Sequence, residues 1–335
     1  MNIQEHISLK EYNTFGMHVY AKRFVSVSSF FALKNILEKE KEVYIISGGS
    51  NILLTKDISC LVIHIDIKGI SIDKEEENYI YLTVNAGEHW HDFVNWCIAQ
   101  NYGGLENLSL IPGYVGTAPI QNIGAYGVEV KDAITKVEGI DIKSGKRVSF
   151  SNTACNFGYR NSIFKQKLKN KVVITAVSFK LTKTKHVINS SYGAIESELK
   201  KKNIVNPSIK DISEAVISIR KSKLPDPKKI GNSGSFFKNP VIAITKYEAL
   251  QKQFPKIPSY PISENEVKVP AGWLIENIGY KGKNYGTYGV HEKQALVLVN
   301  YGDASGKDIY RLAQEIQKEV EKKFGIHLEM EVNIL

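Results

Sequence analysis

The sequence predicts an α+β protein, built as two α/β lobes before Arg220 and a third after it. Three observations carry this reading. Short strand-like runs alternate with amphipathic helical stripes along the whole chain. A Pro- and Lys-rich tract at 220–231 reads as a linker or crossover between the two regions. The last ten residues alternate: Ile326, Leu328, Met330, Val332 and Ile334 face one way, and His327, Glu329, Glu331 and Asn333 the other. That pattern predicts a terminal strand tucked into a sheet.

Ser28 is the expected start of the first helix, with Leu33, Ile36 and Leu37 on one face. Val43–Ile46 reads as a short strand running directly into Ser47-Gly48-Gly49-Ser50-Asn51. Strands are expected at Leu61–Ile65 and Tyr79–Val84. Trp90, Phe93, Val94, Cys97 and Ile98 then form a helical stripe, which Gly103-Gly104 is expected to end. The tract IPGYVGTAPIQNIGAYG (111–127) holds four glycines and two prolines and reads as a long irregular loop. Such loops inside compact domains usually carry function. Strands resume at Val137–Ile142 and Val172–Leu181, and 241–300 mixes short helices and strands. Lys307–Phe324 reads as an amphipathic helix with Ile309, Leu312, Ala313, Ile316 and Val320 on its apolar face, stopped by Gly325.

Bulk properties exclude several classes. The 335 residues are 43% hydrophobic and 24% charged, as in a globular protein with large cores. No apolar run reaches roughly eighteen residues, so no membrane insertion is predicted. The N-terminus lacks the basic-then-apolar pattern of a secretory signal, and a cytoplasmic location is expected. Cys60, Cys97 and Cys155 form no C-x-x-C, which predicts reduced thiols and no zinc ribbon or dithiol motif. A net charge of +9 suits nucleic acid and phosphorylated small molecules alike. The basic residues fall in short clusters such as Lys200–Lys202, with no contiguous stripe, so no nucleic-acid partner is expected. His89 and His91, two apart on the predicted helix, diverge, and no metal site is expected.

Four constellations could carry chemistry. In Gly48-Gly49-Ser50-Asn51, a glycine pair after a strand lets backbone N–H groups converge on an anion, with two side-chain donors beside them; an ordinary turn is the competing reading. It is neither G-x-G-x-x-G nor a P-loop. Gln121 and Asn122 place two amides on a glycine-flanked loop, which suits an extended polar ligand or a structural loop equally. Arg160, in GYRNSIFK (158–165), offers a planar fork to a carboxylate or a developing enolate, or else a structural ion pair. In GNSGSFFKNP (231–240), Gly231 and Gly234 permit close approach, Phe236 and Phe237 can exclude water, and Asn239-Pro240 ends the element. Ser235 lies in no G-x-S-x-G and has no histidine beside it. That leaves proton transfer or ligand binding. Glu331 shares the polar face of the last segment with Glu329, where a solvated strand face is the competing reading.

Taken in order, YNTF (12–15), GGSN (48–51), the 111–127 tract, GYRNSIFK, SKLPDPKKIGNSGSFFKNP (222–240), AGWLIE (271–276), HEKQALVLVN (291–300) and LEMEV (328–332) resemble the UDP-N-acetylenolpyruvoylglucosamine reductase family of peptidoglycan precursor synthesis. The resemblance spans nearly the whole chain. It implies an FAD-binding fold of the vanillyl-alcohol oxidase/p-cresol methylhydroxylase type, made of two α/β subdomains, plus a C-terminal α/β substrate domain. The implied FAD-binding region is 1–219, with a subdomain junction near 68 and completion by the terminal strand 326–335; the substrate-binding domain is 220–325. It also implies non-covalent FAD, NADPH as reductant, a UDP-linked amino-sugar enolpyruvyl ether as substrate, and no obligate protein partner.

By the family's pattern Arg160 and Glu331 polarise and stabilise, and Ser235 gives the proton. Glu331 must be partly protonated, or paired with Arg160, to help an enolate. Tyr192 matches the substrate-closing tyrosine of the family's longer subclass. Lys223, Asn239 and Gln294 match substrate contacts. Gly48, Gly49, Ser50, Asn51, Gln121, Asn122, Gly124, Ala125 and Arg220 match flavin contacts. Thr117, and Met330 where a proline is frequent, depart from the pattern. A flavin oxidase is the alternative on the same fold; no histidine for a covalent tether lies in 47–51 or 111–127, which leaves a non-covalent oxidase open.

Overall fold

Local capping and apolar stripes account for most of the elements. The computed structural model describes residues 2–335. The chain forms two compact units. The first comprises the N-terminal residues through Ile7, then Ala21–Gly48 and Ile58–Ser222. The second comprises Ser8–Tyr20, Gly49–Asp57 and Lys223–Leu335. The division therefore falls at five places along the chain, among them between Gly48 and Gly49 and after Ser222.

The first unit holds two larger sheets and the two-stranded hairpin of Gly124–Ala125 with Val128–Glu129. One runs in the order Gln4–Ser8, Tyr20–Val27, Ile58–Ile65, Val43–Ile46, and the last three strands are parallel. Helix α1 (Phe30–Lys39) provides the crossover, burying Leu33, Ile36 and Leu37 against Val25, Ile63 and Ile65. Its cap is Ser29 and not Ser28: the Ser29 hydroxyl accepts the Ala32 N–H at 3.1 Å. The second sheet is antiparallel, in the order Arg147–Ser151, Ile134–Asp141, Val172–Thr182, Tyr79–Asn85, Ile70–Glu75. Its inner face packs Leu82, Val84, Val177 and Phe179 against Trp90, Phe93 and Val94 of α2 (Trp90–Ala99). This helix ends at Gln100, before the expected glycine pair. Gly103 instead pairs with Thr182 in a bridge where a Cβ would meet His186 Nδ1 at 2.6 Å. His89 caps α2 from outside, so it does not share a helix with His91.

Two further helices, α3 (Gly193–Lys201) and α4 (Ile209–Lys223), form their own small core. Ile195 and Leu199 meet Ile212, Ala215, Val216 and Ile219, with Tyr126 packed alongside. The tract after Arg220 is therefore helical at its start, and the irregular chain begins only after Lys223. Pro225 follows there, where it restricts the preceding residue to non-helical backbone.

The second unit carries α5 (Ile244–Gln253), α6 (Ala271–Asn277) and α7 (Gly306–Phe324), a three-stranded antiparallel sheet and a hairpin of Tyr288–Val290 with Leu298–Asn300. Helix α7 is written fully into the sequence. Ser305 and Asp308 form a reciprocal capping box, Ile309, Leu312, Ala313, Ile316, Val320 and Phe324 are buried, and Gly325 at φ +62° ends the helix. The terminal segment keeps its alternation, with Ile326, Leu328 and Val332 buried. It is not the expected continuous strand. Only Asn333–Ile334 pairs, in parallel with Ile52–Leu53, and Met330 makes a single bridge to Phe237. Among the described residues no helix is long and apolar enough to cross a membrane.

Candidate active site

In the second unit the segment from Gly231 to Pro240 is tied down residue by residue. Gly231 exchanges backbone hydrogen bonds with Asn300 at 3.1 and 2.8 Å. A Cβ at Gly231 would lie 2.2 Å from the Phe15 carbonyl oxygen, so no other residue fits without moving backbone. The Asn232 amide donates to the Ile230 and Pro225 carbonyls, and its Oδ1 accepts the Gly234 N–H at 2.9 Å. Gly234 has φ +70°, which an L side chain rarely adopts. Phe236 and Phe237 are fully buried, and Phe236 stands edge-on to Phe15.

This segment then pairs with the end of the chain. Phe236 takes the Glu331 N–H on its carbonyl at 2.8 Å, and Lys238 gives its N–H to the Glu329 carbonyl at 2.9 Å. The Lys238 ammonium, largely buried, pairs with the exposed Glu329 carboxylate. Ser235 and Glu331, both half-buried, thus sit on adjoining, register-locked backbone. Asn51 joins them: its side chain donates to the Glu331 carbonyl at 3.2 Å, and its own carbonyl accepts the Asn333 N–H at 3.1 Å. Gly49 at φ +57° packs so closely on Tyr12 and Asn13 that a Cβ would lie 2.0 Å from the Tyr12 oxygen.

Two of the predicted substrate contacts also work on the frame. Asn239 Oδ1 accepts the Ala271 N–H at 2.9 Å and so holds the start of α6. Gln294 Oε1 accepts from Leu296, whose carbonyl in turn takes the Phe236 N–H. Lys223 is exposed at the end of α4.

In the first unit Arg160 is held by carbonyls. Its guanidinium donates to Asn122 at 3.5 Å and to Gly124, and its backbone sits at φ +51°. Asn122 is completely buried. Its amide donates to Glu129 Oε2 at 2.9 Å and to the Gly158 carbonyl at 3.1 Å, and its Oδ1 accepts the Lys131 N–H. The Asn122 side chain therefore builds the loop. Gly124-Ala125 pairs with Val128-Glu129 across Tyr126 (φ +51°) and Gly127 (φ +83°), the two left-handed residues a tight hairpin turn requires. Gln121 is half-buried beside Asn122. Gly48 abuts the Tyr114 ring, which a Cβ would meet at 2.9 Å.

Arg220 donates from Nε to the Leu110 carbonyl at 3.2 Å and hydrogen-bonds the Tyr126 hydroxyl. Burial pulls the guanidinium below its ordinary value, and the Tyr126 hydroxyl opposes that shift. Burial raises Tyr126 in turn. The Tyr192 ring, 46% exposed, stands edge-on to Tyr126 at 5.3 Å. Arg160, Gln121, Asn122, Gly124, Ala125, Tyr192 and Arg220 thus belong to the first unit, and Ser50, Asn51, Ser235, Asn239, Gln294 and Glu331 to the second.

Sequence reasoning passed over Glu129 and Tyr126 as framing residues. Only the Tyr126-Gly127 turn carried a local signal, a glycine after a bulky residue between short apolar runs.

Comparison with known proteins adds independent findings. Residues 226–335 match the model for the UDP-N-acetylenolpyruvoylglucosamine reductase C-terminal domain, and residues 31–151 match an FAD binding domain. The chain is 56% identical to UDP-N-acetylenolpyruvoylglucosamine reductase of Flavobacterium johnsoniae, covering 100% of both chains. It is 45% identical to the protein of that name from Pseudomonas putida, over 99% of this chain and 98% of that one. The structure of UDP-N-acetylenolpyruvylglucosamine reductase from Thermus caldophilus superposes with a TM-score of 0.71 at 23% identity, over 100% of this chain and 99% of that one. The expected FAD-binding fold with a C-terminal domain is therefore the fold of this chain.

Proposed function

This chain belongs to the family of UDP-N-acetylenolpyruvoylglucosamine reductases, FAD-dependent oxidoreductases, and we propose that it reduces UDP-N-acetylenolpyruvoylglucosamine to UDP-N-acetylmuramate with NADPH as reductant. FAD, when bound, supplies the hydride chemistry between the nicotinamide and the enolpyruvyl group. The residues present fit that cofactor. Ser47 Oγ, directly before the Gly48-Gly49 pair, is buried with no hydrogen-bond partner among the described residues, a donor of the kind a phosphate oxygen takes. Gly48, Gly49, Ser50, Asn51, Gln121, Gly124, Ala125 and Arg220 would hold it, whereas Asn122, buried and with its amide spent on Glu129, Gly158 and Lys131, would serve by shaping the loop.

Hydride addition to the terminal enolpyruvyl carbon leaves negative charge on the neighbouring carbon, shared with the substrate carboxylate. In this reading the Arg160 guanidinium stabilises that charge. The Ser235 hydroxyl gives its proton to the carbon, a transfer that runs downhill against a carbanion-like centre. Glu331 assists when protonated. Tyr192, Lys223, Asn239 and Gln294 bind the UDP-sugar, and the enzyme works in the cytoplasm without an obligate protein partner.

The observation that most supports this reading is the backbone pairing of Phe236 with Glu331, which sets Ser235 and Glu331 on adjoining chain. The test is direct. Purified protein should be yellow, release its colour on acid denaturation, and oxidise NADPH only when UDP-N-acetylenolpyruvoylglucosamine is added. NADPH oxidation that ignores this UDP-sugar, or a colourless protein that cannot be reconstituted with FAD, refutes it.

A further inference from the structure

One short turn of the first unit ties together four segments far apart in sequence. Glu106–Leu108 is a single buried 3-10 turn. After it, the Ser109 hydroxyl lies 2.8 Å from the Ser213 hydroxyl on α4. Leu110, at φ +58°, gives its N–H to His91 Nδ1 at 3.0 Å, and its carbonyl accepts the Arg220 Nε–H at 3.2 Å. At its centre is Asn107, only 1% exposed. The Asn107 amide nitrogen donates to two backbone carbonyls, Tyr126 at 3.2 Å and Asn189 at 2.9 Å.

A carboxamide has two N–H donors, and here both go to main chain. One bond fixes the turn of the Gly124–Glu129 hairpin. The other fixes the segment that leads, three residues later, to Tyr192. The two segments then meet again where the Tyr192 ring stands edge-on to Tyr126 at 5.3 Å. Asn107 Oδ1 is buried with no hydrogen-bond partner among the described residues. Its burial has therefore been accepted for the sake of the two donations, because a buried acceptor left unmatched is unfavourable.

We propose that Asn107 is a positioning residue for substrate binding: its amide clips the segment bearing Tyr192 to the Tyr126 turn and so sets where Tyr192 stands. The proposal rests on the reading that Tyr192 contacts the UDP-sugar. Asn107→Asp keeps the size of the side chain but turns an oxygen toward two carbonyls. Asn107→Leu keeps the branched shape of the side chain, with larger end groups, and removes both donors.

Two measurements on the FAD-loaded protein test this. In the first, with FAD kept saturating because the hairpin that Asn107 also fixes carries Gly124 and Ala125, KM for UDP-N-acetylenolpyruvoylglucosamine should rise about tenfold or more in both variants while kcat falls by less than about threefold. Adding Tyr192→Ala to either should raise KM by less than about twofold further, because the two changes remove one interaction. In the second, tryptic cleavage after Lys183 and Lys185, mapped by mass spectrometry, should be faster in both variants than in the wild type, with or without turnover. Unchanged KM and unchanged cleavage, or KM effects that multiply with Tyr192→Ala, overturn the clip. A wild-type protein that binds FAD but ignores this UDP-sugar overturns the functional reading instead, and the cleavage rates still decide whether Asn107 holds the segment.

Discussion

The Glu331 N–H donates to the Phe236 carbonyl at 2.8 Å, and that bond sets the geometry of the second unit's chemical residues. Phe236 is fully buried and follows Ser235 directly, so the serine is anchored from one side by core packing. The bridge from Phe237 to Met330 and the bond from Lys238 to Glu329 repeat the pairing over the next residues. In the proposed mechanism, a hydroxyl and a carboxyl group carried on such backbone would lose little further freedom on meeting substrate, a condition for efficient proton transfer.

Replacing Ser235 by alanine should separate the two halves of the reaction. Reduction of bound flavin by NADPH should stay within about threefold of wild type in stopped-flow. Reoxidation by UDP-N-acetylenolpyruvoylglucosamine should slow by roughly a hundredfold to ten-thousandfold, the usual range for a lost general acid. Equal slowing of both halves would contradict the proton-donor role.

Glu331 and Glu329 offer an internal comparison, because they lie two residues apart and differ in surroundings. Glu329 is 66% exposed and pairs with Lys238. The Lys238 side chain is largely buried but the carboxylate stands in solvent and is screened there, so the pair is worth on the order of 1 kcal/mol and Glu329→Gln should lower kcat/KM by less than about tenfold. Glu331→Gln should cost far more, chiefly in the step that consumes substrate. Comparable losses in the two variants would remove Glu331 from the mechanism.

How much could be read in advance depended on whether the deciding contacts were local. At α7 the apolar stripe and terminal glycine were legible, but the start was placed at Lys307 and the Ser305–Asp308 capping box was passed over. At α1 the stripe was legible but the cap was misplaced by one residue, because Ser28 and Ser29 have the same side chain and only backbone geometry separates them. The terminal segment's faces followed from its alternation, but its partners did not. Pairing with Ile52–Leu53 and Phe237 depends on chain tens to hundreds of residues away. Asn107 was invisible for the same reason. In LENLSL (105–110) an amide looks like surface, and its burial is decided by Tyr126 and Asn189, 19 and 82 positions on.

Gly231→Ala should be among the most damaging single-methyl changes in the second unit. The new Cβ would sit 2.2 Å from the Phe15 oxygen and 2.8 Å from its carbonyl carbon, both backbone atoms that cannot rotate aside. Relief requires pulling apart the Gly231–Asn300 pair, at a loss of about 3 kcal/mol on the scale of overpacked cores. Gly193→Ala is the stability control. No atom lies within 4 Å of its Cβ position, and at the start of α3 alanine should be neutral or slightly stabilising. Urea midpoints of the two variants should shift very differently; similar midpoints would show that the Phe15 contact gives way.

Stability of the first unit should fall with acid in a way that His91 helps set. His91 Nδ1 accepts the Leu110 N–H at 3.0 Å, which requires an unprotonated nitrogen there. Burial lowers the His91 pKa, Arg220 and Lys221 push the same way, and Asp92 opposes them. The unfolded chain, with an ordinary value of about 6.5, therefore binds the proton more readily than the folded one. The resulting stabilisation is present above that value and is lost as pH falls through the lower, folded value. His64, also lowered by burial, contributes with the same sign. In His91→Asn the side-chain oxygen can still accept from Leu110 but cannot be protonated in this range. Its Tm should decline less between pH 7 and pH 5 than that of the wild type, with His64 common to both. Equal declines would mean that the Leu110 bond does not resist protonation of His91.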